Sequence, residues 1–247
     1  MVDFRTQGRV IGRAGTAVDV DEGLRKHMLR VYNYMTLGLG LTGAVAYAIA
    51  TVPALRDLFW VMQGNVLVGA KPLAYVAMFS PLAFILVLSF GIDRLKASTA
   101  QLLFWLFAAV FGAALSNILL IYTGVSVART FFITAAAFGA LSLYGYTTKR
   151  DLSAMGKFLF IGLIGLILAM VVNIFLQAPA LQFAVSVIGV LIFAGLTAYD
   201  TQKIKEMYLE ADSQEIAQKK AIMGALRLYL DFINMFLFLL HFLGARE

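Results

Sequence analysis

Two carboxylates stand in stretches of this chain that are otherwise suited to a lipid bilayer. Asp231 lies inside LYLDFINMFLFLL, residues 228–240, and Asp200 closes the run GLTAYD, residues 195–200. An aspartate at the centre of a membrane helix costs roughly 2.5–3.5 kcal/mol on insertion scales, so a residue of this kind usually has a function. Two carboxylates held close together at low dielectric cannot both ionise cheaply, and the pair then shares a proton.

Such a pair couples pH to the separation of two helices. When protonated, the side chains can hydrogen-bond and hold their helices together; when ionised, they repel each other and attract a hard cation such as Ca²⁺. The coupling requires that Asp200 and Asp231 meet, which the sequence permits but does not demand. Two other interpretations stay open at this stage. Arg227 lies four residues before Asp231 and could neutralise it within one helix. Asp200 could simply cap the sixth span near the cytoplasmic interface, where water is available.

Each carboxylate belongs to a polar stripe on one face of its predicted helix. With 100° between successive residues, the members of each stripe fall within an arc of about 80°. The stripes consist of Gln182, Ser186, Gly189, Thr197 and Asp200 in one segment, and of Arg227, Asp231, Asn234 and His241 in the other. A stripe of this kind facing lipid would be intolerable, so we expect both to face other helices or water. Candidate pore-lining or supporting residues are therefore Arg227, Asn234, Gln182, Ser186 and Thr197.

Composition places the whole chain in a membrane and argues against most other classes of function. Hydrophobic residues make up 61% of the 247 residues and charged residues 14%, against roughly 25% charged in an ordinary soluble domain. The absence of cysteine excludes disulfides and thiolate sites. No zinc-protease, serine-hydrolase or phosphate-loop motif is present, so we expect neither an enzyme nor a resident cofactor. Basic residues lie between apolar blocks, which argues against a nucleic-acid partner.

Seven apolar blocks predict seven transmembrane helices, each close to the ~20 residues that cross a bilayer. The blocks are residues 33–52, 73–91, 100–122, 127–147, 157–176, 179–199 and 223–243. Residues 1–32 form a basic N-terminal segment that contains a helix running on into the first span, and residues 33–247 form a single transmembrane domain. Residues 53–72 are predicted to be turn-rich and interfacial, and residues 200–222 a solvated helical linker.

The distribution of lysine and arginine predicts a cytoplasmic N-terminus and a C-terminus on the other side. Fifteen basic residues then lie on the cytoplasmic side against four on the other, which is a strong positive-inside bias. The fifteen are Arg5, Arg9, Arg13, Arg25, Lys26, Arg30, Arg94, Lys96, Lys149, Arg150, Lys157, Lys203, Lys205, Lys219 and Lys220, and the four are Arg56, Lys71, Arg129 and Arg246. Because polar residues interrupt the seventh block, a re-entrant seventh helix stays as an alternative.

Two C-terminal motifs resemble the signature of a known family. GLTAYDTQKIKEMY, residues 195–208, followed by LRLYLDFINMFLFLLHFLG, residues 226–244, is similar to the Bax inhibitor-1 family. The segment VDEGLRKHMLRVYNYM, residues 20–35, resembles bacterial members, which implies an inner-membrane location. The resemblance implies an all-α membrane protein with two three-helix layers around a central seventh helix.

The same resemblance implies a pH-sensitive, calcium-permeable leak channel in the lipid bilayer. It makes Asp200 and Asp231 the proton-sharing gate, Arg94 a latch for Asp200, and calcium a permeant ion that binds only transiently near the two aspartates. The second span, residues 73–91, has no glutamate, so an additional acidic cation site is not expected there. As an alternative, some bacterial relatives bind and modulate a membrane-anchored ATP-dependent protease without transporting ions, a role that would use the basic tail.

Overall fold

A computed structural model of the protein describes residues 5–64 and 66–245, with side chains described from residue 22 onward. The side chains of Arg5, Arg9 and Arg13, and the whole of Arg246, lie outside the described residues. The elements, in chain order, are α1 (Arg5–Thr51), α2 (Pro53–Phe59), β1 (Trp60–Gln63), β2 (Val66–Ala70), α3 (Pro72–Gly91), α4 (Ala97–Leu115), α5 (Ile118–Ile121), α6 (Gly124–Thr147), α7 (Ser153–Leu176), α8 (Pro179–Glu206) and α9 (Gln214–Leu243).

The seven apolar blocks are confirmed as seven helices that are long and apolar enough to cross a membrane. They cover Glu22–Thr51, Pro72–Gly91, Ala97–Ile121, Gly124–Thr147, Ser153–Leu176, Pro179–Glu206 and Gln214–Leu243. The last of them is one continuous helix of 30 residues, or about 45 Å. A re-entrant segment needs a break in the helix at which the chain turns back to the side it entered from. Helix α9 has no such break.

Short sequence signals set several helix boundaries. Pro53, Pro72 and Pro179 each occupy the first turn of a helix, where the missing N–H of proline costs nothing. Ser213 caps α9, its hydroxyl accepting a hydrogen bond from the Ile216 N–H at 3.3 Å. The predicted linker 200–222 consists mainly of the end of α8 and the start of α9. Only residues 207–213 between them are non-helical.

Residues 53–72 contain more regular structure than their composition suggests. After the short helix α2, strands β1 and β2 pair antiparallel around a turn in which Gly64 has a φ of +62°, a conformation that favours glycine. Trp60 is buried, and its indole N–H donates to the Ser116 hydroxyl at 2.8 Å. This bond holds the hairpin against the end of α4.

Helix α9 is the centre of the bundle, as the family resemblance implies. It packs against α1, α4, α6 and α8, while α3 packs on α4 and α7 packs on α8. One layer is therefore α1, α3 and α4, and the other is α6, α7 and α8. Tyr229 of α9 is fully buried, and its hydroxyl lies 2.6 Å from that of Thr42, which donates to the Ala108 carbonyl at 2.8 Å. These two hydrogen bonds join α9 to α1 and α4.

Glycine permits the closest contact between α6 and α8. A Cβ added at Gly145 would lie 2.2 Å from the Ala198 carbonyl oxygen, whereas one added at Gly139 on the same helix would meet nothing within 4 Å. We expect Gly145→Ala to lower the stability of the folded bundle by about 1–3 kcal/mol, because backbone atoms cannot yield as a side chain can. Gly139→Ala is the control and should be neutral or stabilising by up to about 1 kcal/mol. Thermal unfolding of the purified variants in detergent measures both, and equal melting temperatures would contradict the prediction.

Candidate functional site

The contact between α8 and α9 brings Asp200 and Asp231 together. Asp231 is 4% exposed, and its carboxyl group and that of Asp200 border the same cavity, close enough for each to act on the charge of the other. Within the described part of the chain, no N–H or O–H group of another residue donates to Asp231 Oδ2. Two carboxyl groups placed together at low dielectric ionise less readily than either one alone. The arrangement is therefore suited to holding one shared proton between two helices.

Arg227 lies beside Asp200 instead of its helical neighbour Asp231. Its Nη1 atom is 3.9 Å from Asp200 Oδ1, and among the described residues this is its only ion pair within 4.0 Å. The ion pair therefore crosses from α9 to α8, and the intrahelical pairing that the i,i+4 spacing allowed is not formed. Asp200 lies more than one turn before Glu206, the last residue of α8. It is thus not at the end of its helix, as a simple cap would be.

Arg94, the predicted latch, is not in contact with Asp200 in this structure. It is exposed just beyond Gly91, where α3 ends, and it forms no ion pair within the described ranges. A latch at this position requires the end of α3 to approach α8. The role of Arg94 stays a prediction about another arrangement of the bundle.

The two carboxylates lie on the wall of a large cleft between α3, α7, α8 and α9. Its volume is about 1310 Å³, and its polar lining includes Asp200, Asp231, Arg227 and Asn234. The remaining walls are mostly aliphatic and aromatic side chains, such as Phe160 of α7. An ion in the cleft would therefore find its oxygen ligands concentrated at the aspartate pair. The amide of Asn234 donates to the Leu230 carbonyl of its own helix at 2.8 Å, which leaves the amide oxygen as a further acceptor.

The cleft extends along much of the bundle, beyond the residues that the sequence singled out. Lys157, near the start of α7, lines it on the predicted cytoplasmic side, and His241 lines it near the end of α9. His241 also borders a second cavity of about 230 Å³, which Gln182, Ser186 and Asn173 line. The two cavities are therefore neighbours at the predicted outer side.

Not every predicted lining residue reaches these cavities. Arg227 and Asn234 line the cleft, and Gln182 and Ser186 line the smaller cavity. Thr197 is fully buried, donates its hydroxyl to the Phe193 carbonyl at 2.8 Å, and borders neither cavity. Thr197 lies about 60° around the helix from Asp200. At that angle its side chain faces the packed interior of the bundle and not the cleft.

The lining residues predicted from the sequence did not include Lys157, Asn173 or His241, which border the two cavities. Lys157 was visible only as part of the charge bias, because a lysine at a helix end is typical of any membrane span. His241 belongs to the predicted polar stripe of α9, near the end of that helix. Its Nδ1 atom lies 2.8 Å from the Leu237 carbonyl oxygen.

Comparison with known proteins identifies the family. Residues 24–247, which include both aspartates and every helix that borders the cleft, match the family described as "Inhibitor of apoptosis-promoting Bax1". The chain belongs to the Bax inhibitor-1 family. The resemblance of its C-terminal motifs is thereby confirmed, and with seven apolar helices the chain is a multi-pass integral membrane protein.

Several bacterial proteins are similar to this chain over almost its whole length. A protein of Caulobacter vibrioides is 51% identical over 249 residues, covering 100% of both chains. A protein of Rickettsia prowazekii is 51% identical over 228 residues, covering 92% of each. The inner membrane protein YbhL of Escherichia coli K12 is 46% identical over 237 residues, covering 95% of this chain and 98% of YbhL.

Proposed function

We propose that this Bax inhibitor-1 family protein is a pH-sensitive leak channel, permeable to calcium and gated by Asp200 and Asp231. The observation that carries the proposal is the placement of these two carboxyl groups together on the wall of a mostly apolar cleft. We place it in the bacterial inner membrane, as the name of its relative YbhL states for that protein, with the N-terminus in the cytoplasm.

The gate works through the charge of the pair. With one proton present, the carboxyl groups hydrogen-bond and hold α8 against α9, and the single negative charge is balanced by Arg227. Loss of that proton leaves two anions in contact, which repel each other strongly at low dielectric. The pair then binds a divalent cation favourably, because calcium takes carboxylate oxygens in flexible geometry. Rising pH thus both loosens the helix contact and creates the cation site.

The conducting path in this proposal follows the cleft and the small cavity next to it. The cleft supplies the carboxylates at mid-path, and Gln182 and Ser186 supply oxygen atoms near the predicted outer end. In this arrangement Arg227 opposes the entry of cations. We therefore expect a slow leak with a low rate of ion passage.

Calcium flux into proteoliposomes containing the purified full chain tests the proposal. With one proton lost on opening, flux should rise with pH by up to about tenfold per pH unit below its midpoint, and should level off above it. Empty liposomes and liposomes with heat-denatured protein are the controls. A folded protein that gives no flux above empty liposomes at any pH would overturn the proposal and favour the alternative role, modulation of a membrane-anchored protease.

A further inference from the structure

A second large cavity lies on the opposite side of the bundle from the aspartate cleft. It is a groove of about 970 Å³ between α1 and α6, with Phe232 of α9 on its wall. Its other walls are mainly apolar side chains such as Met35 and Phe138. The proposed ion path shares none of its lining residues. The groove thus lies outside the proposed leak path.

The groove is open toward the lipid and is kept empty by glycine. Leu29 and Leu143 on its walls are 51% and 62% exposed. Gly40 on α1 and Gly139 on α6 both line it, and a Cβ added at either position would meet nothing within 4 Å. At Gly145, by contrast, an added Cβ would strike backbone. Close helix packing therefore does not require glycine at 40 and 139, and larger residues there would fill the groove.

One end of the groove is basic. Arg25 lines the predicted cytoplasmic end, and among the described residues it has no carboxylate within 4.0 Å, whereas its neighbour Lys26 is paired with Glu22 at 2.8 Å. Lys205 of α8 reaches the same end, where its Nζ atom donates to the carbonyl of the lining residue Tyr146 at 2.8 Å. Basic pockets between membrane helices on this side bind anionic lipid headgroups.

The wall below the basic end carries a short polar patch. The Tyr32 hydroxyl lies 2.5 Å from that of Ser142, and the Ser142 hydroxyl lies 3.0 Å from that of Thr201. Tyr32 and Ser142 both line the groove. Beyond this patch the lining is apolar, apart from Thr36, as far as Ala44, which is 19 residues, or about 28 Å, along α1 from Arg25. From its cytoplasmic end inward, the groove is thus first basic, then weakly polar and then apolar. A phospholipid has the matching order of charged headgroup, ester region and acyl chain.

We propose that the groove between α1 and α6 binds one anionic phospholipid of the cytoplasmic leaflet. The phosphate lies at Arg25, the ester region lies at Tyr32 and Ser142, and an acyl chain lies over Gly139 and toward Gly40. A lipid fits better than a protein helix, because the groove opens into hydrocarbon and its one charged end has the sign that complements a phosphate. This proposal does not depend on calcium conduction.

Native mass spectrometry of the purified full chain in detergent tests the binding of phosphatidylglycerol against phosphatidylcholine with the same acyl chains. The unmodified protein should hold one phosphatidylglycerol at least about fivefold more tightly than phosphatidylcholine, the preference expected from one cation at the headgroup. Arg25→Gln should lower that preference by about fivefold, the contribution of one cation at the headgroup, with a smaller effect on phosphatidylcholine, which has no net charge.

Filling the groove tests the acyl-chain position. Gly139→Leu should weaken phosphatidylglycerol binding by about tenfold or more, which corresponds to the loss of about two buried methylene groups. Gly165→Leu on α7 is the matched control: an added Cβ there also meets nothing within 4 Å, the position lies outside the groove, and binding should not change. Replacement of glycine by leucine favours a helix, so both variants should fold.

Three results would overturn the proposal. The first is phosphatidylglycerol binding that survives Gly139→Leu unchanged, and the second is equal affinity of the unmodified protein for both lipids. The third is a dimer that Gly139→Leu converts to a monomer, which would assign the groove to a second copy of the chain. The same mass spectra report all three.

Discussion

Replacing Asp231 with asparagine is expected to flatten the dependence of calcium flux on pH. Asparagine has nearly the volume of aspartate and can donate a hydrogen bond to the Asp200 carboxylate, so the contact between α8 and α9 should survive. One carboxylate alone has neither the shared proton nor the repulsion that the gate requires. We expect the unmodified protein to change its flux by up to about tenfold per pH unit below the midpoint. The Asp231→Asn variant should change by less than about twofold across the same range.

The double variant distinguishes a pair from two independent sites. Asp200→Asn should flatten the curve as Asp231→Asn does, and the double variant should be no flatter than either single variant. Non-additivity of this kind is typical of residues that act as a unit. Asp93→Asn is the matched control, because Asp93 is an exposed carboxylate outside the cleft, and its loss should leave the curve unchanged. Full pH dependence in well-folded Asp231→Asn would make Asp231 a structural residue.

The number and position of the membrane helices follow from sequence because burial of the backbone in lipid demands about 20 apolar residues in succession. The order of helices within the bundle does not follow in the same way. Leu228 is fully buried and Phe175 is 82% exposed, yet both are apolar, because the protein interior and the lipid select the same side chains. The central position of α9 was therefore available only through the family resemblance.

The hairpin of residues 60–70 was not predicted for a related reason. Its strands have four and five residues, too few for an alternation of apolar and polar residues to be read with certainty. The bond that fixes it, from Trp60 to Ser116, joins residues 56 positions apart. A long-range contact of this kind has no signal in the local pattern.

Within the site, sequence periodicity predicted which residues share a helical face but not which partner each one meets. The stripe of α9 placed Arg227 and Asp231 together, and the i,i+4 spacing allowed a bond between them. Helix α8 is instead rotated about its axis so that Asp200 faces α9 and lies near both Arg227 and Asp231. The same rotation turns Thr197 away from the cleft. Such rotations depend on side-chain packing between helices, as at Gly189, where an added Cβ would lie 2.7 Å from the Phe238 ring.

This arrangement of charges gives Arg227 and Arg94 different expected effects. Arg227 joins α8 to α9, which pack together in any case, so it does not bridge the cleft. It stabilises the ionised form of the pair through its positive charge. Arg94 follows α3, which forms the opposite wall of the cleft through Leu82 and Ile85. A bond from Arg94 to Asp200 would therefore close the cleft, which a bond from Arg227 cannot do.

We therefore expect Arg227→Gln to shift the midpoint of the flux curve to higher pH. Removal of a positive charge 3.9 Å from Asp200 makes ionisation of the pair more costly, and an opposite charge at this range is worth about 1–3 pH units. Flux at neutral pH should fall, and the maximum at high pH should be at least that of the unmodified protein, because the charge that opposes cation entry is removed as well. Arg94→Gln should do the reverse if the latch forms, raising flux near neutral pH without moving the midpoint upward. Flux in proteoliposomes across a pH series measures both variants, and Lys96→Gln, which removes an exposed cation two residues beyond Arg94, is the control. An Arg227→Gln curve that coincides with that of the unmodified protein would mean that the ion pair across α8 and α9 does not act on the gate.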